Sequence, residues 1–143
     1  MAIQHQEKIN LYQMAVIFSV LFALVGFTYN VWRMEVSEEN NTIRTASFEM
    51  LLELSSLEQL IYTAHYDGNL VEGSPRKGWV KIGLIADLSL LTADSIRDTA
   101  TALKNTWAQR WNSVVDNTDS VTQIVQAIDA VRESIKLELK MLD

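Results

Sequence analysis

The side chains that could do covalent or metal chemistry are few. The chain of 143 residues has no Cys and two His, His5 and His65. This composition excludes a disulfide scaffold, a thiolate zinc site, an iron–sulfur cluster and a Cys nucleophile. Glu49 and Glu53 share one helical face, and paired carboxylates can hold a hard cation. Such pairs more often face solvent, and the sequence has no Glu-x-x-His pair of the di-iron type. We therefore predict no metal and no other cofactor.

The glycine-rich segment at residues 73–79 looks loosely like a phosphate loop. It fails that pattern because no Lys follows the second glycine and no strand precedes the segment. We find no nucleophile–base pair elsewhere and predict that the protein is not an enzyme. The segment carries Arg76, Lys77 and Trp79 at the start of a predicted helix, where cations and backbone N–H groups attract anions. It is a candidate contact for a partner's carboxylates, glycan or phosphate; the alternative is a capped turn with solubilising charge.

Three further side chains are candidates for interaction or sensing. His65 lies at the predicted end of a helix, where the helix dipole favours a cation. A pH-sensing role is one interpretation, and a dipole contact alone is the other. Trp107 and Trp111 lie one turn apart on one helical face. Two Trp on one stripe pack a core or form an interface with an oligomer or partner, and both alternatives stay open.

The overall composition favours a helical protein that does not bind nucleic acid. There are 12 Lys and Arg against 18 Asp and Glu, which gives a formal charge of −6. Binding a duplex requires clustered Lys and Arg to neutralise phosphates. One Pro and 5 Gly are too few for an all-β fold with many turns.

Residues 9–32 contain no charged residue. A bilayer core of about 30 Å needs roughly 20 apolar residues. Tyr12 lies near one end of the run, and Tyr29 and Trp32 lie near the other, as in interfacial aromatic belts. A soluble core helix is the alternative, but no other segment is apolar enough to surround it. A cleaved signal peptide is disfavoured because the run exceeds the roughly 7–15 residues of a typical signal and no Ala-x-Ala site follows.

The predicted organisation is therefore a short tail at residues 1–8, a signal-anchor helix at residues 9–32 and a helical domain at residues 33–143. Ala15, Ser19 and Ala23 recur every four residues in the anchor, and small residues on one face permit close helix packing in lipid. The numbers of Lys and Arg on the two sides of the anchor are nearly equal, so they do not determine its orientation. The short tail favours a single-pass protein of a bacterial inner membrane, with the tail in the cytoplasm and the domain in the periplasm.

Helical periodicity predicts three helices after the anchor, at about residues 35–66, 75–116 and 120–142. The first has a coiled-coil seam that includes Met50 and Leu57, and Phe48 and Leu52 widen it enough to contact more than one neighbour. The second begins at Ser74 and Pro75, and its seam shifts at residues 92–95, where we expect a kink or short break. The third begins with a capping box at Ser120. The fold class is all-α: one transmembrane helix followed by an up-down-up antiparallel bundle or coiled coil of three helices.

The layout is similar to that of membrane-anchored helical-bundle sensor modules of bacterial receptors. The similarity is architectural, covers no specific motif and transfers no residue roles; the second span and signalling domain of such receptors are not predicted here. Two functions follow. The favoured one is a structural or accessory subunit that binds itself or a membrane-associated complex through coiled-coil faces. The alternative is a sensory or ligand-binding module that signals to a membrane partner, which needs a pocket with converging polar groups. Because the seams contain few polar residues, no small-molecule ligand is expected.

Overall fold

The computed structural model describes the backbone of residues 2–142 and the side chains of residues 12–142. The predicted tail at residues 1–8, with His5, lies outside the described side chains. Between residues 2 and 142 there is no strand, which confirms the all-α prediction. The helices are α1 (Ala2–His65), α2 (Pro75–Ser89), α3 (Asp94–Arg110) and α4 (Thr118–Met141), with a 3-10 turn at Trp111–Ser113 between the last two. Contacts divide the chain into an N-terminal unit, Met1–Glu39, and a C-terminal unit, Asn40–Asp143.

The N-terminal unit belongs to the first part of α1, and its described side chains, residues 12–39, are all exposed. In the part of the chain that the structure describes, α1 is the one helix long and apolar enough to cross a membrane, with a mean hydropathy of 2.0 over its most apolar window. None of that window is buried within the protein. The Ser19 and Thr28 hydroxyls donate to the carbonyls of Ala15 and Leu24 at 2.8 and 2.9 Å. Both hydroxyls are thus satisfied within their own helix.

The C-terminal unit packs residues 40–65 of α1 with α2, α3 and α4 in alternating directions. Arg44 Nη2 donates to the carbonyl of Leu142 at 2.7 Å, whereas His65 contacts Val114, so α1 and α4 are antiparallel. Gly78, near the start of α2, lies against the ring of Trp107, near the end of α3. These contacts define an entry end (residues 40–45, 90–93 and 141–142) and a far end (residues 65–74 and 111–118).

All four helices supply apolar side chains to one continuous core. Their spacing of three and four residues follows the predicted seams, because that spacing keeps side chains on one helical face. Ser47 is also fully buried among them. The core consists of Met50, Leu54, Leu57, Leu60, Ile61, Ala64, Ile82, Ile85, Ile96, Ala100, Leu103, Trp107, Val114, Val121, Ile124, Ile128, Val131 and Ile135.

The segment predicted as one helix over residues 75–116 is a helical hairpin, so the packed domain has four helices. The expected break lies at residues 90–93, between α2 and α3. The Ser89 hydroxyl donates to the carbonyl of Ala86 at 2.6 Å, and the Thr92 hydroxyl donates to that of Ser89 at 2.8 Å. Amide hydrogen bonds three residues back close the turn. Uncoupling the two halves lets each bury its own apolar face.

The helix starts differ from the predicted caps. Pro75 is the first residue of α2, as predicted, but the Ser74 side chain makes no capping hydrogen bond. α4 begins at Thr118, and its cap is Asn117, whose side chain accepts from the amide of Ser120 at 3.0 Å. Ser120 is buried, and the hydrogen bond between its hydroxyl and that of Ser113, at 2.9 Å, offsets the cost of that burial.

The contact between Gly78 and Trp107 predicts opposite effects for two glycine substitutions. A Cβ at position 78 would fall on the Trp107 ring, whereas a Cβ at Gly83 meets nothing within 4 Å. We expect Gly78→Ala to destabilise the fold by about 1–3 kcal/mol through overpacking. Gly83→Ala should stabilise it by about 0.5–1 kcal/mol, because alanine is the better helix former. Urea unfolding of the full chain in detergent, followed by tryptophan fluorescence, measures both; equal midpoints would contradict the packing described.

Candidate interaction surfaces

His65 joins the end of α1 to the connection between α3 and α4. Its Nδ1 lies 2.9 Å from the carbonyl of Val114 and 3.0 Å from that of Val115. Because both partners can only accept, Nδ1 carries the proton and donates. Nε2 then accepts from the Thr118 hydroxyl at 3.3 Å. The candidate pH-sensitive residue thus connects two elements at the far end of the bundle. Sequence patterns cannot identify its carbonyl partners, because every residue type has a backbone carbonyl.

The connection between α1 and α2 is held in one conformation. Gly68 has φ +63°, a conformation that glycine adopts without a Cβ penalty. The Asn69 side chain accepts from the amides of Val71 and Glu72 at 3.1 Å each. Gly73 lies so close to the backbone of Ala64 that a Cβ would collide with it. The connection therefore holds the exposed Val71 side chain in a fixed place at the far end.

The two predicted cations of this region do not converge on one site. Lys77 Nζ donates to the carbonyl of Val71 at 2.9 Å and lies 4.0 Å from the Glu72 carboxylate. It therefore fastens the connection to α2. Arg76 is exposed on the neighbouring side of the helix. Lys77 thus has a structural role, whereas Arg76 is directed to solvent.

A polar groove lies between α1 and the first turns of α2. It has a volume of about 290 Å³, and its lining includes Ser56, Gln59, Thr63, Lys77 and Lys81. Lys81 Nζ is 3.2 Å from Glu53 Oε2, so that charge is already paired within the protein. The groove combines hydroxyl, amide and ammonium groups, which are the donors needed to bind a small polar molecule.

Trp79, Trp107 and Trp111 form an aromatic cluster between α2 and the end of α3. The Trp79 ring makes edge contacts with Trp107 and Trp111 at centroid distances of 6.5 and 6.3 Å. Trp107 is 0 % exposed and belongs to the core, while Trp111 is partly buried against it. Trp79 remains partly exposed. Of the two alternatives for the tryptophan pair, Trp107 packs the core, and the surface that remains for a partner is formed by Trp79 and Trp111.

A second apolar surface runs along α1, opposite the core. Phe48 and Leu52 were expected to contact neighbouring helices, but they are 58 % and 66 % exposed. Tyr62 and Tyr66 are exposed on the same side. We call this surface the outer seam; its positions recur at intervals of three and four residues: Thr45, Phe48, Leu52, Ser55, Gln59, Tyr62 and Tyr66.

The outer seam is fixed in part by its neighbours. The Tyr62 hydroxyl donates to Glu58 Oε1 at 2.9 Å, and this hydrogen bond raises the pKa of the Tyr62 phenol. The other oxygen of Glu58 accepts from Arg132 on α4 at 2.6 Å. Sequence patterning predicts one wide apolar seam on α1 that includes Phe48 and Leu52. Only the positions of α2 and α4 decide which part of that seam is covered.

The small residues predicted to pack in the membrane also lie on an open surface. Ala15, Ser19 and Ala23 are exposed at four-residue intervals on the helix of the N-terminal unit. The hydroxyl of Ser19 is turned back to its own helix, so this face presents little bulk and no unsatisfied hydroxyl hydrogen. It is sterically open to a second helix.

Comparisons with known proteins do not indicate a function, so the surfaces described above are the basis for a proposal. No family model, curated protein or solved structure matches the chain. Among the side chains of residues 12–142, no group of three or more His, Asp or Glu is placed to hold a metal ion.

The tryptophan cluster predicts unequal effects of truncation. Trp107→Ala empties a fully buried site, so we expect a loss of about 3–5 kcal/mol in the free energy of unfolding. Trp111→Ala should lose clearly less because the side chain is only partly buried. Trp107→Phe should recover part of the loss, because it keeps a ring and removes the buried indole N–H that has no partner among the described residues. Chemical unfolding of the three variants tests this order; a larger loss for Trp111→Ala would contradict it.

Proposed function

We propose that this protein is a single-pass, membrane-anchored structural or accessory subunit without enzymatic activity. It acts through coiled-coil contacts with a second copy or with a membrane-associated complex. The observation that carries the proposal is the outer seam of α1, where Phe48, Leu52, Tyr62 and Tyr66 lie exposed on a helix whose opposite face is already buried. Exposed apolar and aromatic side chains grouped along one helical face are typical of interaction sites.

The spacing of the outer seam suits a helix as its partner. Intervals of three and four residues keep side chains along one stripe, which is the pattern that knobs-into-holes packing requires. Aromatic side chains are enriched at such interfaces because they bury large areas at low entropic cost. Three aromatic side chains and one leucine, each about half exposed, offer roughly 400–500 Å² per copy, below the roughly 800 Å² of a stable interface.

The membrane anchor compensates for this small area. Confining two partners to one bilayer raises their effective concentration, so that a weak contact becomes occupied. The apolar helix of the N-terminal unit supplies the anchor, and the small-residue face at Ala15, Ser19 and Ala23 offers a second contact within lipid. We place the protein in a bacterial inner membrane, with the tail in the cytoplasm and the bundle in the periplasm.

A sensory or ligand-binding module is the second candidate function. The polar groove between α1 and α2 favours it, because Ser56, Gln59 and Thr63 lie opposite two lysines around a volume of about 290 Å³. A small polar ligand bound there would contact both sides of the groove and stabilise the closed packing of α2 on α1. A membrane partner would then respond to a ligand-dependent change in the packing of the bundle. It would not need a permanently exposed seam.

Site-specific photocrosslinking in native membranes tests the favoured function. A benzophenone amino acid at Leu52 samples the outer seam, and one at Asn105 samples an exposed polar face of α3. We expect an adduct from position 52 and none from position 105. An adduct of twice the chain mass identifies a second copy, and any other mass identifies a different subunit. No adduct at position 52, or equal adducts at both positions, would contradict the proposal.

A further inference from the structure

The polar groove between α1 and α2 contains hydroxyls that the protein does not use internally. Elsewhere on α1, the hydroxyls of Thr45 and Ser55 donate to carbonyls four residues back, at 2.9 Å each. The hydroxyls of Ser56 and Thr63 line the groove and have no hydrogen-bond partner among the described residues. Both side chains are partly buried. Their hydroxyls are therefore free to bind a molecule that enters the groove.

Polar side chains line both walls of the groove at helical spacing. On α1, Ser56, Gln59 and Thr63 lie three and four residues apart, and on α2, Lys77 and Lys81 lie four residues apart. These intervals place each set on one helical face. The two sets therefore face each other across a volume of about 290 Å³. That volume equals the share of roughly ten water molecules in the liquid, which is enough for a small organic molecule.

The lining offers more hydrogen-bond donors than acceptors. An ammonium group has three N–H donors. Lys77 Nζ donates one to the carbonyl of Val71, and Lys81 Nζ donates one to Glu53 Oε2, so each keeps donors for a ligand. The lining includes one carboxylate, that of Glu72. A ligand with several acceptor oxygens therefore suits this groove.

The charges around the groove favour a ligand with a single negative charge. The ion pair of Lys81 and Glu53, at 3.2 Å, is mostly buried, with side chains 23 % and 26 % exposed. Lys77 Nζ lies 4.0 Å from the Glu72 carboxylate. Because two carboxylates lie beside the two ammonium groups, a multiply charged anion would be repelled. The described lining contains no Arg, the side chain whose fork suits phosphate. A carboxylate still gains charge-assisted hydrogen bonds from the free ammonium donors.

We propose that the polar groove binds a small organic acid that carries hydroxyl groups, such as a sugar acid. Its carboxylate lies between Lys77 and Lys81, and its hydroxyls pair with Ser56, Gln59 and Thr63. This inference rests on the second candidate function, a ligand-binding module, and deepens it by naming the class of ligand. Because the ligand contacts α1 and α2 together, its binding stabilises the folded bundle.

Amide chemical shifts of the isotope-labelled full chain in detergent micelles test the inference with defined probes. D-gluconate is a hydroxylated carboxylate. Sorbitol keeps the hydroxyls without the charge, acetate keeps the charge without the hydroxyls, and glucosamine carries hydroxyls and an ammonium group. We expect gluconate to shift the amides of residues 56–63 and 77–81 in a saturable manner. Each of the other probes should bind at least about tenfold more weakly, because each lacks one set of hydrogen bonds.

The groove hydroxyls can be removed without the loss of an internal hydrogen bond. Ser56→Ala and Thr63→Val together should weaken gluconate binding about tenfold, because each deletes one hydrogen bond to the ligand. Ser55→Ala is the matched control and should bind gluconate as the unchanged protein does, because its hydroxyl lies on the outer seam and donates to Leu51. Circular dichroism checks that each variant is folded, and the single substitutions are measured if the double variant is not.

The other outcomes separate the ligand class from the candidate function. Equal binding of gluconate by the double variant and the unchanged protein would overturn the proposed site. An equal or stronger response to sorbitol, acetate or glucosamine at the same amides would overturn the ligand class and leave a ligand-binding module standing. No saturable shift with any of the four probes would refute the inference and count against the second candidate function. The photocrosslinking test of the outer seam is independent of all these results.

Discussion

The close approach of Gly78 to the ring of Trp107 is the contact on which the bundle depends. It packs α2 against α3 in the hairpin, whose break at residues 90–93 adjoins the predicted shift of the seam at residues 92–95. Each half of the hairpin then buries its own face: Ile82 and Ile85 from α2, and Ile96 and Leu103 from α3. A single long helix over the same residues would extend beyond α4 and leave part of its apolar stripe in water.

The same packing determines which surfaces remain for function. α2 and α4 cover the buried face of α1, and the salt bridge between Glu58 and Arg132 connects α1 to α4. Exposed apolar side chains remain in several places, among them the outer seam of α1, the tryptophan cluster and the apolar helix of the N-terminal unit. Large exposed apolar patches are typical of interaction sites, whereas single exposed apolar side chains are ordinary. In the proposed function, lipid would cover the apolar helix and a protein partner would cover the outer seam.

Much of the fold follows from local patterns, and much of the site does not. The charge-free run, the seams and the break before Asp94 are properties of spacing along one chain, so the sequence predicts them. The exposure of Phe48 and Leu52 depends on where α2 and α4 lie, which periodicity does not encode. The carbonyl partners of His65 carry no residue-type signal at all. The cap of α4 was misplaced because Asn117 and Ser120 are both good capping residues, and only the burial of Ser120 decides between them.

The central claim is that the anchored bundle exists as part of a larger membrane assembly. The most direct test is native mass spectrometry of the protein extracted from membranes into lipid nanodiscs by a polymer, without detergent. One chain has a mass of 16.2 kDa. The account predicts a species of higher mass in the membrane fraction, containing either two copies or one copy with another subunit. A single 16.2 kDa species, or recovery of the protein outside the membrane fraction, would contradict it.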